Sequence, residues 1–292
     1  MLVDCHLHVG PAHRWIPEGL ELAASLDAGA DFPGLRERGV TGPALAEYLE
    51  RQGIDYAVAL PSGRDAVQEY ALDEAGANQR LLPFVQYDPR SAPEAARRFA
   101  DALAHGARGL KVHPCSHQLP ANDRSLYPLY AVAEERGVPV MIHVGSSVFP
   151  GAKMKHCDPM LVDEVAADFP DLQVLCAHSG RGFWTSQVFQ LARMRPNVWM
   201  ELSGLPASRI AREFPELERV RDRVLFGSDW PSSPSVSRLA REFEQLPFSR
   251  ELVEGALWRN ASGLFGLPTT EAPESRSEAT PGSASTRVEA SG

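Results

Sequence analysis

Residues able to do chemistry recur at the ends of short apolar runs. LVDCHLHV carries His6 and His8, ARGLKVHP carries Lys111 and His113, and VPVMIHVG carries His143. LQVLCAHS carries His178, and RVLFGSDW carries Asp229. Alternate side chains of an extended chain share a face. Asp4, His6 and His8 are therefore expected on one face of the first run, toward a common axis, with Val3, Cys5, Leu7 and Val9 on the other. The same alternation joins Lys111 to His113. Burying any such group without a partner costs roughly 2–7 kcal/mol. Imidazoles and a carboxylate gathered at one point are instead the donor set of a divalent transition metal. Cys176, two residues before His178 on the expected same face, reads as core filler. His13, His105, His117 and His156 fall in expected helices or loops and read as solvated, with His13 and His156 in loops that follow the first and fifth runs.

The elements that must position these residues follow a steady beat. From the second run, at residue 55, to the eighth, at residue 223, starts advance by a mean of 28 residues. That spacing holds a strand, a helix of about ten residues and two short loops, the βα unit. Residues 44–53, 92–106, 126–137 and 160–170 place apolar side chains at helical spacing. Gly53, Gly106 and Gly137 stand where a helix end takes positive φ. Eight such units close into a (β/α)8 TIM barrel, whose chemistry lies at the C-terminal ends of the strands. An open doubly wound sheet is the alternative, but HVGPAH after the first strand is not a Gly-rich phosphate turn. Residues 10–42 make an extended loop after strand 1, read as a lid. Residues 249–267 make an extra C-terminal helix, read as sealing the outer wall.

The 292 residues carry 29 Lys and Arg against 38 Asp and Glu, a formal charge of −9. No basic face is left over to neutralise phosphates, so nucleic acid is not an expected partner. No run approaches the roughly 20 apolar residues of a membrane helix. The first ten residues have neither a basic segment nor a long apolar stretch, so no secretory signal is expected. Cys5, Cys115, Cys157 and Cys176 form no CxxC pair, which speaks for free thiols and a cytoplasmic protein. Residues 1–267 form the expected barrel, and 268–292 an expected disordered tail with Val288 as its one sizeable aliphatic side chain.

At these motifs the chain resembles the metal-dependent amidohydrolase superfamily. VDCHLHVG, GLKVHP, VPVMIHVGSS, FPDLQVLCAHSGRGFW and VLFGSDWP resemble its amidohydrolase-2 branch, which holds hydrolases and non-oxidative decarboxylases. The resemblance covers about residues 1–266. It implies His6, His8 and His143 as metal ligands and His178 as a second-metal ligand or a catalytic acid/base. Asp229 would bind metal and shuttle a proton. Lys111 is implied as a carbamylated bridge between two ions, or as an ammonium that binds an anionic substrate beside a single ion. The cofactor is then one or two divalent ions, zinc first, with manganese and iron as alternatives.

The leading reading is hydrolysis of a small amide, lactone or ester by metal-activated water, with Asp229 and His178 catalytic. Decarboxylation of an aromatic or enol carboxylate is the second, and a binding barrel without catalysis the third. His113, Arg181 and Trp230 are candidate substrate contacts, Trp15 and Trp184 candidate walls, and Glu201, sharing a face with Ser203, a further candidate. The expected partner is a small molecule, with self-association into a homo-oligomer a further option. Deleting residues 268–292 is expected to change stability by less than about 0.5 kcal/mol and to leave turnover unaltered. A fall of several degrees in melting temperature would show that the tail docks.

Overall fold

The computed structural model describes residues 1–26, 32–63, 65–147, 149 and 151–268. Eight strands run in chain order: β1 (Val3–His8), β2 (Tyr56–Leu60), β3 (Leu81–Tyr87), β4 (Gly109–Val112), β5 (Val140–Gly145), β6 (Val174–Arg181), β7 (Val198–Glu201) and β8 (Val224–Leu225). Each pairs in parallel with the next. β8 returns to β1 through the Leu7–Trp230 bridge. Cys5 N donates to Phe226 O at 3.0 Å, and Asp229 N to His6 O at 2.9 Å. The result is a nearly closed TIM barrel, as the spacing predicts. The four expected amphipathic helices form at Gly42–Gln52, Ala95–Ala104, Tyr127–Glu135 and Met160–Asp168.

The apolar core has two shells. The inner one, on the barrel axis, gathers Val58, Leu82, Met141, Leu175 and Leu225 from five strands. The outer one packs strand residues such as Leu7, Val112, Ile142 and Met200 against the helices. The membership of β1 corrects a sequence expectation, because Val3 and Cys5 belong to the inner shell and Leu7 and Val9 to the outer one. The cause is a bulge, in which Asp4 pairs with Ala57 and Leu7 with Ala59. Cys5 and His6 together therefore oppose Val58, and the alternation slips by one residue. Asp4 does not share the His6 face. Its carboxylate accepts from His6 N at 3.0 Å, Ser228 N at 2.9 Å and Ser228 Oγ at 2.6 Å. Burial outweighs these bonds and pushes its pKa up to about 7.

The C-terminal segment has two roles. Leu252, Ala256 and Leu257 pack in the outer shell, the wall-sealing place expected of it. Ala261, Phe265 and Leu267 pack into the inner shell with Val3 and Phe84, so its end also plugs the N-terminal end of the barrel. The Phe84 and Phe265 rings meet edge to face, centroids 6.2 Å apart. The long loop after β1 is structured. Gly10–Pro11 pairs with Gly39–Val40, and Pro17–Ser25 is a helix. Residues 27–31 of that loop and 269–292 of the expected tail lie outside the described residues.

All four cysteines are free. Among the described residues no helix is long and apolar enough to cross a membrane. His117 is half-buried, with Nε2 3.4 Å from Gln86 Nε2, not solvated as the sequence suggests. Gly109 in β4 faces the Phe84 ring so closely that an added Cβ would overlap it. Gly109→Ala should therefore destabilise the barrel by roughly 1–3 kcal/mol in a denaturant melt, and Phe84→Leu in the same chain should recover part of the loss. An unchanged midpoint would contradict this packing.

Candidate active site

The C-terminal ends of the strands enclose a cavity of about 390 Å³ whose walls include His6, His8, Lys111, His113, His143, His178, Arg181 and Asp229. Eight of the nine site residues expected from sequence thus meet in one place. Trp15, Ile16 and Leu22 from the loop after β1, with Phe149 after β5, form its apolar side. That loop is a wall of the cavity, and Trp15 keeps its expected place.

Two backbone departures aim the polar groups. His178 and Ser179 have φ of +64° and +44°, and the β5–β6 register shifts between His143 and Gly145. The turn brings His178 inward directly after inward Ala177. Cys176 lies in the outer shell, so it is core filler but not on the His178 face. Asp229 has φ +64°, which turns its carboxylate into the cavity and sends Trp230 outward. Trp230 is fully buried and stacks on Tyr48 with centroids 4.1 Å apart. It does not line the cavity, so its expected substrate contact is withdrawn. Trp184 likewise lies off the lining.

The donor atoms fall into neighbouring groups. His6 Nε2 and His8 Nε2 lie 3.6 and 3.3 Å from Asp229 Oδ1. Two ligands each about 2.1 Å from a tetrahedral ion sit about 3.4 Å apart, so this trio has the spacing of a divalent site. His6 Nε2 is buried and has no hydrogen-bond partner, an orphan that an ion would satisfy. The residues present therefore fit a metal. His143 does not complete this trio. It stacks on His113 with centroids 4.2 Å apart and groups with His113 and Cys115. Its Nε2 is also buried and unpartnered, and its ring lies 4.6 Å from that of His178.

Glu201 and Ser203 sit beneath these rings, both fully buried. Glu201 Oε2 is 2.9 Å from His6 Nδ1, and Ser203 Oγ is 2.9 Å from His178 Nδ1. Burial drives the pKa values of His6, His143 and His178 well down. Burial also raises Glu201 to about 7 and lowers Lys111 to about 8. Burial acts to raise Asp229 too, but the His8 hydrogen bond and the fields of His6, Arg181 and His8 outweigh it and hold the carboxyl well below the usual range. Arg181 Nη1 reaches Asp229 Oδ2 at 3.4 Å and Nη2 reaches Ser146 O at 3.3 Å. Lys111 Nζ points into the same space with no hydrogen-bond partner. Arg209 and Gln86, which the sequence reading passed over, also line the cavity. Arg209 opens the helix Ala207–Glu213 just beyond β7, and that position at the C-terminal face was its available signal.

A search of curated proteins returned no match. Among solved structures, a TIM-barrel protein from Bordetella bronchiseptica shares the fold with TM-score 0.71 and 23% identity, over 91% of this chain and 98% of that one. The 5-carboxyvanillate decarboxylase of Sphingomonas paucimobilis superposes with TM-score 0.65 at 15% identity, over 91% and 99% of the two chains. A Pseudomonas putida protein assigned as a 2-pyrone-4,6-dicarboxylic acid hydrolase does so with TM-score 0.63 at 20% identity, over 92% and 98%. The sequence itself matches the amidohydrolase-2 family, described as Amidohydrolase, over residues 3–267. A match spanning the whole barrel, on a fold whose strand ends carry metal-binding donors, places this chain in the amidohydrolase-2 family of metal-dependent enzymes.

Proposed function

We propose that this barrel is a metal-dependent hydrolase of a small amide, lactone or ester that bears a carboxylate. The observation that carries the reading is Asp229, a buried carboxylate kept ionised with Oδ1 against His6 and His8 and Oδ2 against Arg181. An ionised carboxylate so placed is free to accept a proton from water that a bound ion would make acidic. Hydrolysis needs such a base, whereas loss of carbon dioxide needs a proton donor to carbon. His6, His8 and Asp229 would hold the ion, with His143 and His178 at its border and zinc the expected metal. Such an ion, when bound, supplies Lewis acidity and lowers the pKa of water to roughly 7.

The chain's own groups do the rest. Asp229 Oδ2 takes the proton of the attacking water and returns it to the leaving group. The Lys111 ammonium and the Arg181 guanidinium bind the substrate carboxylate, since both line the cavity and Lys111 has no protein hydrogen-bond partner. Ile16, Leu22 and Phe149 pack against the substrate body and exclude water. The four free thiols suit a reducing compartment such as the cytoplasm.

Zinc-loaded enzyme offered a panel of lactones, amides and aromatic carboxylates in heavy-oxygen water should place solvent oxygen in the product. Release of carbon dioxide with solvent hydrogen at a ring carbon would replace this reading with decarboxylation, the reaction named for three of the structural neighbours. His6→Ala combined with His8→Ala should reduce bound metal from about one ion per chain to background and abolish turnover, by elemental analysis and assay. The far-UV circular dichroism should be kept, because the pair sits above the packed inner shell. Turnover retained in the metal-free double variant would sink the metal mechanism.

A further inference from the structure

We propose that Glu201 and Ser203 act as one positioning unit that fixes the ring protons of His6 and His178 on Nδ1, so that both rings present a bare Nε2 to the cavity. Backbone N–H groups fix the accepting role of the Glu201 carboxylate: Oε1 accepts from Ser203 N at 2.7 Å and Oε2 from His178 N at 3.2 Å. Oε2 also accepts from Ser203 Oγ at 2.7 Å and lies 2.9 Å from His6 Nδ1. In its ionised form the carboxylate can only accept, so His6 Nδ1 carries the hydrogen. The Ser203 hydroxyl spends its single hydrogen on Glu201. Toward His178 Nδ1, 2.9 Å away, its oxygen can then only accept. The Ser203 carbonyl, 3.2 Å from the same nitrogen, has no hydrogen to give. Both contacts place the His178 hydrogen on Nδ1.

The pocket for this unit is built from both sides. A Cβ at Gly227 would overlap Glu201 Oε1, and Ser179 Oγ ties to Glu201 O at 2.9 Å. The consequence is chemical. Neutral His178 accepts a hydrogen bond from water, a hydroxyl or an amide N–H in the cavity, and offers no N–H to a substrate carbonyl. Polarisation of a substrate carbonyl by this ring is thereby excluded in the resting state, leaving it as base or cation ligand. The inference concerns the site of the proposed hydrolase, but its test reads ring protons instead of turnover, so either can fail alone.

The full-length chain, labelled with nitrogen-15 in its histidine rings and stripped of metal with chelator, is examined by long-range proton–nitrogen correlation. Signals are assigned by single histidine variants. His6 and His178 are both expected in the Nδ1–H form. In Glu201→Gln the carboxamide can turn its NH2 toward His6, so the Nε2–H form appears there, and zinc affinity falls roughly 10–100-fold. Ser203 Oγ also lies 3.1 Å from His6 Nδ1, but His6 keeps Glu201 as its acceptor, so Ser203→Ala should act mainly at His178, giving it a measurable share of Nε2–H, while Ser203→Thr should restore the original signal. An Nε2–H form at either ring in the unsubstituted chain overturns the proposal. So does a folded Ser203→Ala chain in which the His178 signal is unmoved.

Discussion

The seam between β1 and β8 is the constraint on which the site depends. β8 contributes only Val224 and Leu225 to its ladder with β7. Beyond them the chain is held by backbone bonds to β1 from Phe226, Asp229 and Trp230 and by the Asp4 carboxylate, which gathers the backbone of Ser228 and His6 and the Ser228 hydroxyl. A carboxylate serving three donors replaces ladder hydrogen bonds that the bulge in β1 removes. The same stretch carries His6, His8 and Asp229. Barrel closure and ligand placement are therefore one event: the atoms that shut the wall also bring two imidazoles to a carboxylate.

Beneath that seam the molecule balances burial of polar groups against their mutual satisfaction. His6, Glu201 and Ser203 are each fully buried, and His178 and Lys111 nearly so. Such burial is tolerable only when the groups bond to one another or to something that enters. Glu201 and Ser203 satisfy the inner nitrogens of His6 and His178. The outward nitrogens of His6 and His143 and the Lys111 ammonium are left over. That division, satisfied below and open above, is what an enzyme needs: rings locked in place by the protein, with their free atoms turned to the ligand. The apolar inner shell and the Phe265 plug below it keep the floor of the site rigid.

Much of this was legible in the chain itself. The beat of the eight strands, the helices between them and the placing of His6, His8, Lys111, His143, His178 and Asp229 at strand ends are local properties. They follow from residue type, period and distance along the chain, because a strand and its helix are defined by neighbours in sequence. The absence of a membrane-spanning helix among the described residues was likewise legible in composition.

The faces were decided elsewhere. Val3 and Cys5 turned inward, Cys176 and Trp230 outward, and His143 joined His113 instead of completing the His6–His8–Asp229 trio. Strict alternation gives the wrong side after a bulge or a residue with positive φ. The changes of face occur at such places: the β1 bulge, the left-handed turn at His178 and Ser179, and that at Asp229. Those conformations are stabilised by partners far along the chain, such as Ser228 for Asp4 and Glu201 for the His178 backbone. Sequence therefore determined which residue types reach the mouth of the barrel. The tertiary hydrogen bonds decided which way each one faces, because only the closed barrel brings their donors and acceptors together.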